Sequence, residues 1–137
     1  MNVDTILAPF EERCPRLMEL NQEQRNKIAS IVGGVEETVG IDHLVDCVAD
    51  GTSIGGDGTI RCYVGFEPSG KAHIGWKVLA LQLKRMLDAN VNVLIFLADW
   101  HAWINDKFNG KMEDIQVTAE YMEDTFRALL GHPEEGD

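Results

Sequence analysis

Two short apolar runs flank one longer amphipathic segment between residues 60 and 98, and this pattern limits the possible folds most strongly. The runs IRCYVGF (60–66) and VNVLIFLA (91–98) are rich in β-branched and aromatic residues, which predicts strands. Residues 73–90 between them place apolar side chains at helical spacing. This order predicts a βαβ unit with parallel strands and a right-handed crossover. Because the second run is nearly all apolar, we expect both of its faces to be covered.

The segments on either side of this unit are predicted to be helical. Residues 3–20, 22–32 and 41–48 have helical spacing, and the glycine-rich stretch 51–59 reads as a linker. We therefore assign residues 1–58 to a helical N-terminal appendage with its linker.

A loop around residues 105–110 and a long helix over 111–130 follow the second predicted strand. Residues 59–137 are accordingly predicted to form the first half of a Rossmann-like, parallel-sheet α/β domain of the nucleotide-binding type. Two strands make only part of such a sheet, so we expect the chain to be truncated.

Charge is distributed unevenly along the chain, whose net charge is −11. Residues 1–59 carry −7 and residues 111–137 carry −6, whereas residues 60–110 carry +2. A ligand with phosphate groups would therefore prefer the central segment. The acidic flanks argue against nucleic acid as the main partner of this part of the protein.

Composition excludes several classes of protein. Hydrophobic residues make up 45% and charged residues 26%, as in ordinary globular domains. The longest apolar run is far shorter than the roughly 18 residues of a membrane span, so we expect no membrane contact. Three cysteines far apart in sequence favour neither a disulfide framework nor a zinc site, and they predict a reducing, cytoplasmic location.

The loop between the first strand and the helix, residues 65–76, permits two nucleotide-binding chemistries. Gly65 to Lys71 fits the P-loop pattern G-x-x-x-x-G-K. Ala72, however, replaces the Ser or Thr whose hydroxyl would bind the metal, and Glu67 would place a negative charge in the phosphate cradle. The P-loop NTPase is therefore the weaker alternative.

The other chemistry depends on His73 and Gly75 at the start of the predicted helix. An imidazole there can donate to phosphate oxygens as charge shifts in a transition state. Glycine at position 75 has no side chain, so a flat adenine can lie against the backbone. The longer pattern P-S-G-x-x-H-x-G between a strand and an amphipathic helix is much more specific than H-x-G alone.

The segments YVGFEPSGKAHIG (63–75) and LADWHAWINDK (97–107) resemble the archaeal and eukaryotic branch of the tyrosyl-tRNA synthetases, over about residues 61–130. The resemblance implies that tyrosine is activated by ATP, bound as its Mg²⁺ complex, and then transferred to tRNA. It also implies a homodimer. HIGW stands where class I synthetases carry H-I-G-H, so Trp76 replaces the second histidine.

Site residues follow from the resemblance, and no metal ligand is among them. Tyr63 would bind the substrate phenol and Glu67 would lie near its ammonium group. The full tyrosine-binding set is Tyr63, Gly65, Glu67, Ala98 and His101. The ATP-binding set is Pro68, Ser69, Gly70, His73, Gly75 and Trp76, and the catalytic set is His73, Gly75 and Lys71.

Ordinary structural roles stay open for some of these residues. Tyr63 can be a core tyrosine, and His101 is as compatible with a structural histidine as with a pocket wall. The second class I signature, K-M-S-K-S, is absent. We therefore expect an N-terminal piece of a tyrosine–tRNA ligase that forms no tyrosyl-adenylate by itself. A non-catalytic paralogue that binds a partner through its acidic appendage is the alternative from another class.

Overall fold

The computed structural model describes residues 2–52 and 56–131, so parts of the predicted linker and of the C-terminal segment lie outside the described residues. These residues form six α-helices, two strands and two 3₁₀ helices. In chain order they are α1 (Val3–Glu11), a 3₁₀ helix (Pro15–Glu19), α2 (Gln22–Val32), α3 (Ile41–Asp50), β1 (Arg61–Phe66), α4 (Ile74–Asp88), β2 (Asn92–Leu97), α5 (Asp99–Ile104), a second 3₁₀ helix (Lys107–Gly110) and α6 (Met112–Leu130).

The two strands form one parallel sheet, as the sequence predicts. The Asn92 N–H donates to the Ile60 carbonyl at 2.9 Å, and the Ala98 N–H donates to the Phe66 carbonyl at 2.8 Å. The spacing along the chain is the same at both ends, as a parallel pair requires. With α4 between β1 and β2, the α/β fold class is confirmed.

Side chains in both strands alternate between half-buried and exposed positions. Leu94 is 62% exposed and Phe96 is 55% exposed. The prediction that both faces of the second strand are covered is therefore wrong for the described residues. The exposed face of β2 is apolar, although nothing in the described part of the chain covers it. Ile74 and Val78 on α4 are exposed as well.

The chain divides into two compact units. Unit 1 contains Met1–Cys62 and Arg85–Asn92, and unit 2 contains Tyr63–Lys84 and Val93–Asp137. These units do not follow the predicted boundary between residues 58 and 59, which stays a prediction.

Unit 1 is built around a helical core. In α2 the Asn21 side chain accepts from the Gln24 N–H while the Gln24 side chain accepts from the Asn21 N–H, a capping box that fixes where the helix begins. Glycines in the left-handed region flank α3 at positions 40 and 51. The helices bury one apolar cluster: Leu7, Cys14, Leu17, Leu20, Ile28, Ala29, Val32, Ile41 and Val45.

Unit 2 contains one α-helix that the sequence analysis missed. Residues Asp99–Ile104 form α5, directly after β2, where the sequence analysis assigned no element. The long helix was predicted correctly: α6 buries Ile115, Met122 and Phe126, and two acids in its first turn suit the helix dipole.

None of the helices in residues 2–52 and 56–131 is both long and apolar enough to cross a membrane.

Candidate active site

The loop from β1 to α4 carries most of the predicted ATP-binding residues. Pro68 is fully buried in it and fixes the course of the backbone. Ser69 and Lys71 are exposed, and Gly70 is half-buried. The loop therefore presents small or flexible residues to solvent around one rigid, buried proline.

His73 immediately precedes α4 and folds back over its first turn. Its Nδ1 accepts a hydrogen bond from the Gly75 N–H at 3.2 Å, so the imidazole satisfies one of the free N–H groups at the helix N-terminus. A neutral ring that accepts at Nδ1 carries its proton on Nε2. The geometry thus assigns Nε2–H as the donor of an exposed histidine.

Gly75 is required for this position of the imidazole. A Cβ built on Gly75 would lie 2.9 Å from both Cε1 and Nδ1 of His73, closer than van der Waals contact allows. Any side chain at position 75 would therefore displace the ring. The sequence analysis expected the bare backbone to receive adenine, whereas here the missing side chain makes room for the histidine itself.

Trp76 is a packing residue in unit 2. Its side chain is buried and stacks on Phe126, with ring centroids 5.9 Å apart and planes at 9°. Phe66 of β1 also contacts Phe126, at 4.6 Å, and the Trp76 and His73 rings lie 5.9 Å apart. The indole therefore joins the start of α4 to α6, and its own backbone N–H bonds to the His73 carbonyl.

Glu67 is the centre of a polar cluster just after β1. Its Oε2 accepts from the Asn105 side-chain amide at 2.5 Å and lies 3.0 Å from Nδ1 of His101. Its Oε1 lies 3.2 Å from the Lys107 ammonium group. The hydrogen bond from Asn105, followed by the effects of Lys107 and His101, lowers the pKa of Glu67 below its ordinary value. The carboxylate is therefore ionised at neutral pH.

Tyr63 and Gly65 lie on the exposed face of β1, and Tyr63 is 75% exposed. The parallel register places Tyr63 beside Leu94 and Gly65 beside Phe96, which share that open face. Within the described residues Tyr63 is thus not a core tyrosine. Ala98 follows β2 and forms the N-cap of α5.

Sequence reasoning missed two members of the Glu67 cluster. Neither Asn105 nor Lys107 was singled out, yet both contact Glu67. The spacing of four residues from His101 to Asn105 was the available signal, because residues four apart share one face of a helix. Recognising it required α5, a helix that the sequence analysis did not predict.

The described residues contain no group of three or more His, Cys, Asp or Glu side chains arranged to bind a metal ion.

Comparison with known families gives one match that covers more than half of the chain. The sequence model described as tRNA synthetases class I (W and Y) matches residues 56–133. This range includes the loop after β1, the HIGW segment and the Glu67 cluster.

Individual relatives carry the same kind of name. The tyrosine–tRNA ligase of Sulfurisphaera tokodaii is 39% identical over 105 residues, which are 77% of this chain and 27% of the relative. That of Saccharolobus solfataricus is 45% identical over 65 residues, which are 47% of this chain and 18% of the relative.

Among solved structures, the crystal structure of tyrosyl-tRNA synthetase from Aeropyrum pernix matches with a TM-score of 0.70 and 34% identity. The match covers 82% of this chain and 32% of that one. The matched regions thus span between 18% and 32% of the length of these proteins.

Proposed function

The chain belongs to the class I tRNA synthetases for tryptophan and tyrosine, and from that premise we propose that it forms the first half of the amino-acid activation site of a tyrosine–tRNA ligase. The relatives at 39–45% identity are named for tyrosine, which supports tyrosine over tryptophan as the substrate. The family match also favours the synthetase over the P-loop NTPase.

The reaction begins when the tyrosine carboxylate attacks the α-phosphate of ATP and pyrophosphate leaves. A hydroxyl of the terminal ribose of tRNA then attacks the carbonyl of the tyrosyl-adenylate, and AMP leaves as the tyrosyl ester forms. Such chemistry needs no enzyme nucleophile, since positioning and charge stabilisation are sufficient. Bound to ATP, Mg²⁺ would supply positive charge that partly neutralises the phosphates.

The side chains around the loop suit the two substrates. The ionised Glu67 binds the tyrosine ammonium group, and the Nε2–H of His73 donates to ATP phosphate oxygens. Lys71, which is exposed nearby in sequence, adds positive charge. The backbone of Pro68, Ser69 and Gly70 lines the nucleotide side of the loop, and Trp76 acts there by holding the start of α4.

Tyrosine itself lies along the open face of the sheet in this proposal. Gly65 permits its close approach, Tyr63 bonds the phenol, and Ala98 and His101 line the pocket wall. Rejecting phenylalanine requires polar groups that the wrong substrate leaves unpaired. A single phenol makes Tyr63 a weak selector alone, so we expect further polar partners in the remaining part of the ligase.

One observation carries the proposal: Nδ1 of His73 accepts a hydrogen bond from the Gly75 N–H, which leaves Nε2 as the donor of the neutral ring. The proposed whole protein is a cytoplasmic homodimer, and its tRNA contacts lie mainly outside these residues, whose net charge is −11.

Amino-acid-dependent ATP–pyrophosphate exchange by the full-length protein tests the proposal. We expect exchange with tyrosine and none with tryptophan or phenylalanine. His73→Ala should reduce the rate about 100-fold, the usual loss for one transition-state donor. The control His43→Ala removes an exposed histidine of α3 and should leave the rate unchanged. Exchange with tryptophan, or equal rates for wild type and His73→Ala, would contradict the proposal.

A further inference from the structure

The Glu67 cluster contains a residue to which neither the family resemblance nor the comparisons give a role. Asn105 ends α5, and its side-chain amide donates to Oε2 of Glu67. We propose that Asn105 is a positioning residue for amino-acid binding: it fixes the Glu67 carboxylate so that Oε1 remains available to the substrate ammonium group. This inference rests on the proposed function of Glu67.

The number of donors around Glu67 supports this assignment. A carboxylate offers about four lone-pair sites on its two oxygens. Oε2 faces both Asn105 and His101, whereas Oε1 faces only Lys107 among the contacts found in the described residues. Oε1 therefore has room for another donor, and a primary ammonium group supplies one of the right charge.

Asn105 is better suited to orient the carboxylate than its two charged neighbours. The His101 and Lys107 side chains are 66% and 40% exposed, and exposed ion pairs are weak and easily rearranged. His101 Nδ1 also lies 3.4 Å from the Asn105 amide, so its role changes with its tautomer. An amide keeps the same donors at every physiological pH.

Backbone conformation next to Asn105 also indicates a specified geometry. Asp106, Phe108 and Asn109 all have φ between 53° and 55°, in the left-handed region that non-glycine residues rarely adopt. Residues with such backbone angles persist where surrounding contacts hold them in that conformation, and they concentrate at functional sites. Here the turn returns Lys107 to Glu67 directly after Asn105.

The affinities for two ligands distinguish a positioning role of Asn105 from a general structural one. Tyrosine has the ammonium group, whereas 3-(4-hydroxyphenyl)propionate is the same molecule without it. We expect Asn105→Ala in the full-length protein to raise the Kd for tyrosine about tenfold, as for loss of one hydrogen bond to a charged group. The Kd for the des-amino analogue should stay within about twofold of wild type, which also shows that the variant is folded.

A double-mutant cycle then asks whether Asn105 acts through Glu67. In a Glu67→Gln background, Asn105→Ala should have almost no further effect on the Kd for tyrosine. Asn92→Ala, an exposed asparagine at the start of β2, is the matched control and should leave both affinities unchanged.

Three results overturn the inference. They are equal weakening of both ligands by Asn105→Ala, no weakening of either, and the same tenfold effect in the Glu67→Gln background. If the wild type binds the des-amino analogue but not tyrosine, the role of Glu67 is wrong. If it binds neither ligand, the proposed function itself fails, and the inference with it.

Discussion

The two compact units place their apolar residues differently. Among the described residues with large exposed apolar side chains, four belong to unit 1 and thirteen to unit 2. Unit 1 instead buries Leu7, Leu17, Ile28 and Val45 completely. Large exposed apolar patches mark interaction or ligand-binding surfaces. The comparison indicates that unit 1 buries its apolar side chains in a core of its own, whereas unit 2 leaves apolar surface exposed among the described residues.

The same substitution in each unit should give the largest contrast. Leu17→Ala in unit 1 removes a fully buried side chain and should lower the free energy of unfolding by about 3 kcal/mol. Leu81→Ala on α4 of unit 2 alters a side chain that is 55% exposed and should cost about 0.5 kcal/mol. Urea unfolding of the 137-residue chain measures both. Equal losses of unfolding free energy in the two variants would contradict the difference in packing between the units.

Gly75→Ala tests the geometry of the loop in unit 2. The new Cβ would overlap the His73 ring, so the imidazole must leave the Gly75 N–H. We expect the tyrosine-dependent exchange rate of the full-length protein to fall about tenfold, which corresponds to about 1.4 kcal/mol. The ¹⁵N chemical shifts of His73 should also lose the Nε2–H pattern.

Val78→Ala, at an exposed position of the same helix, is the control for Gly75→Ala. An unchanged imidazole spectrum in Gly75→Ala would show that the ring does not depend on the glycine.

The capping box of α2 provides a smaller effect within unit 1. Asn21→Ala removes the acceptor for the Gln24 N–H and should lower the free energy of unfolding by about 1 kcal/mol. Asn26→Ala on the exposed face of the same helix loses only a side-chain bond to Gln22, worth about 0.3 kcal/mol. Thermal unfolding compares the two, and equal shifts would contradict the role assigned to the cap.

The smallest expected effect is the pH dependence that Glu67 gives to unit 2. Its pKa is lower in the folded chain than in the unfolded chain, so its stabilisation is complete above the unfolded carboxyl pKa, about 4.3. The stabilisation is lost as the pH falls through the lowered value. The stability difference between wild type and Glu67→Gln should therefore shrink during acid titration. A stability difference that grows as the pH falls would contradict this prediction.

Much of the fold was predictable because local patterns determine it. The helical spacing predicts α2, and the β-branched runs predict both strands of the parallel pair. The open sheet face was not predictable, because an apolar residue such as Phe96 looks the same in a sequence whether or not another element covers it. Burial depends on partners that local sequence does not encode.

The candidate site was predictable in part for a similar reason. His73 and Gly75 are neighbours in sequence, so their association follows from the start of one helix. Asn105 and Glu67 are 38 residues apart and meet only because β1 and the end of α5 lie together. Their contact is a consequence of the tertiary fold, and without α5 the sequence analysis had no basis for it.

A crystal structure of the full-length protein with a non-hydrolysable tyrosyl-adenylate analogue would show whether the loop after β1 binds both substrates. We expect the ammonium group of the analogue within hydrogen-bond distance of Glu67 Oε1. We also expect the phosphate mimic within hydrogen-bond distance of His73 Nε2. An analogue bound away from the loop after β1, or a His73 ring turned from the phosphate mimic, would contradict this prediction.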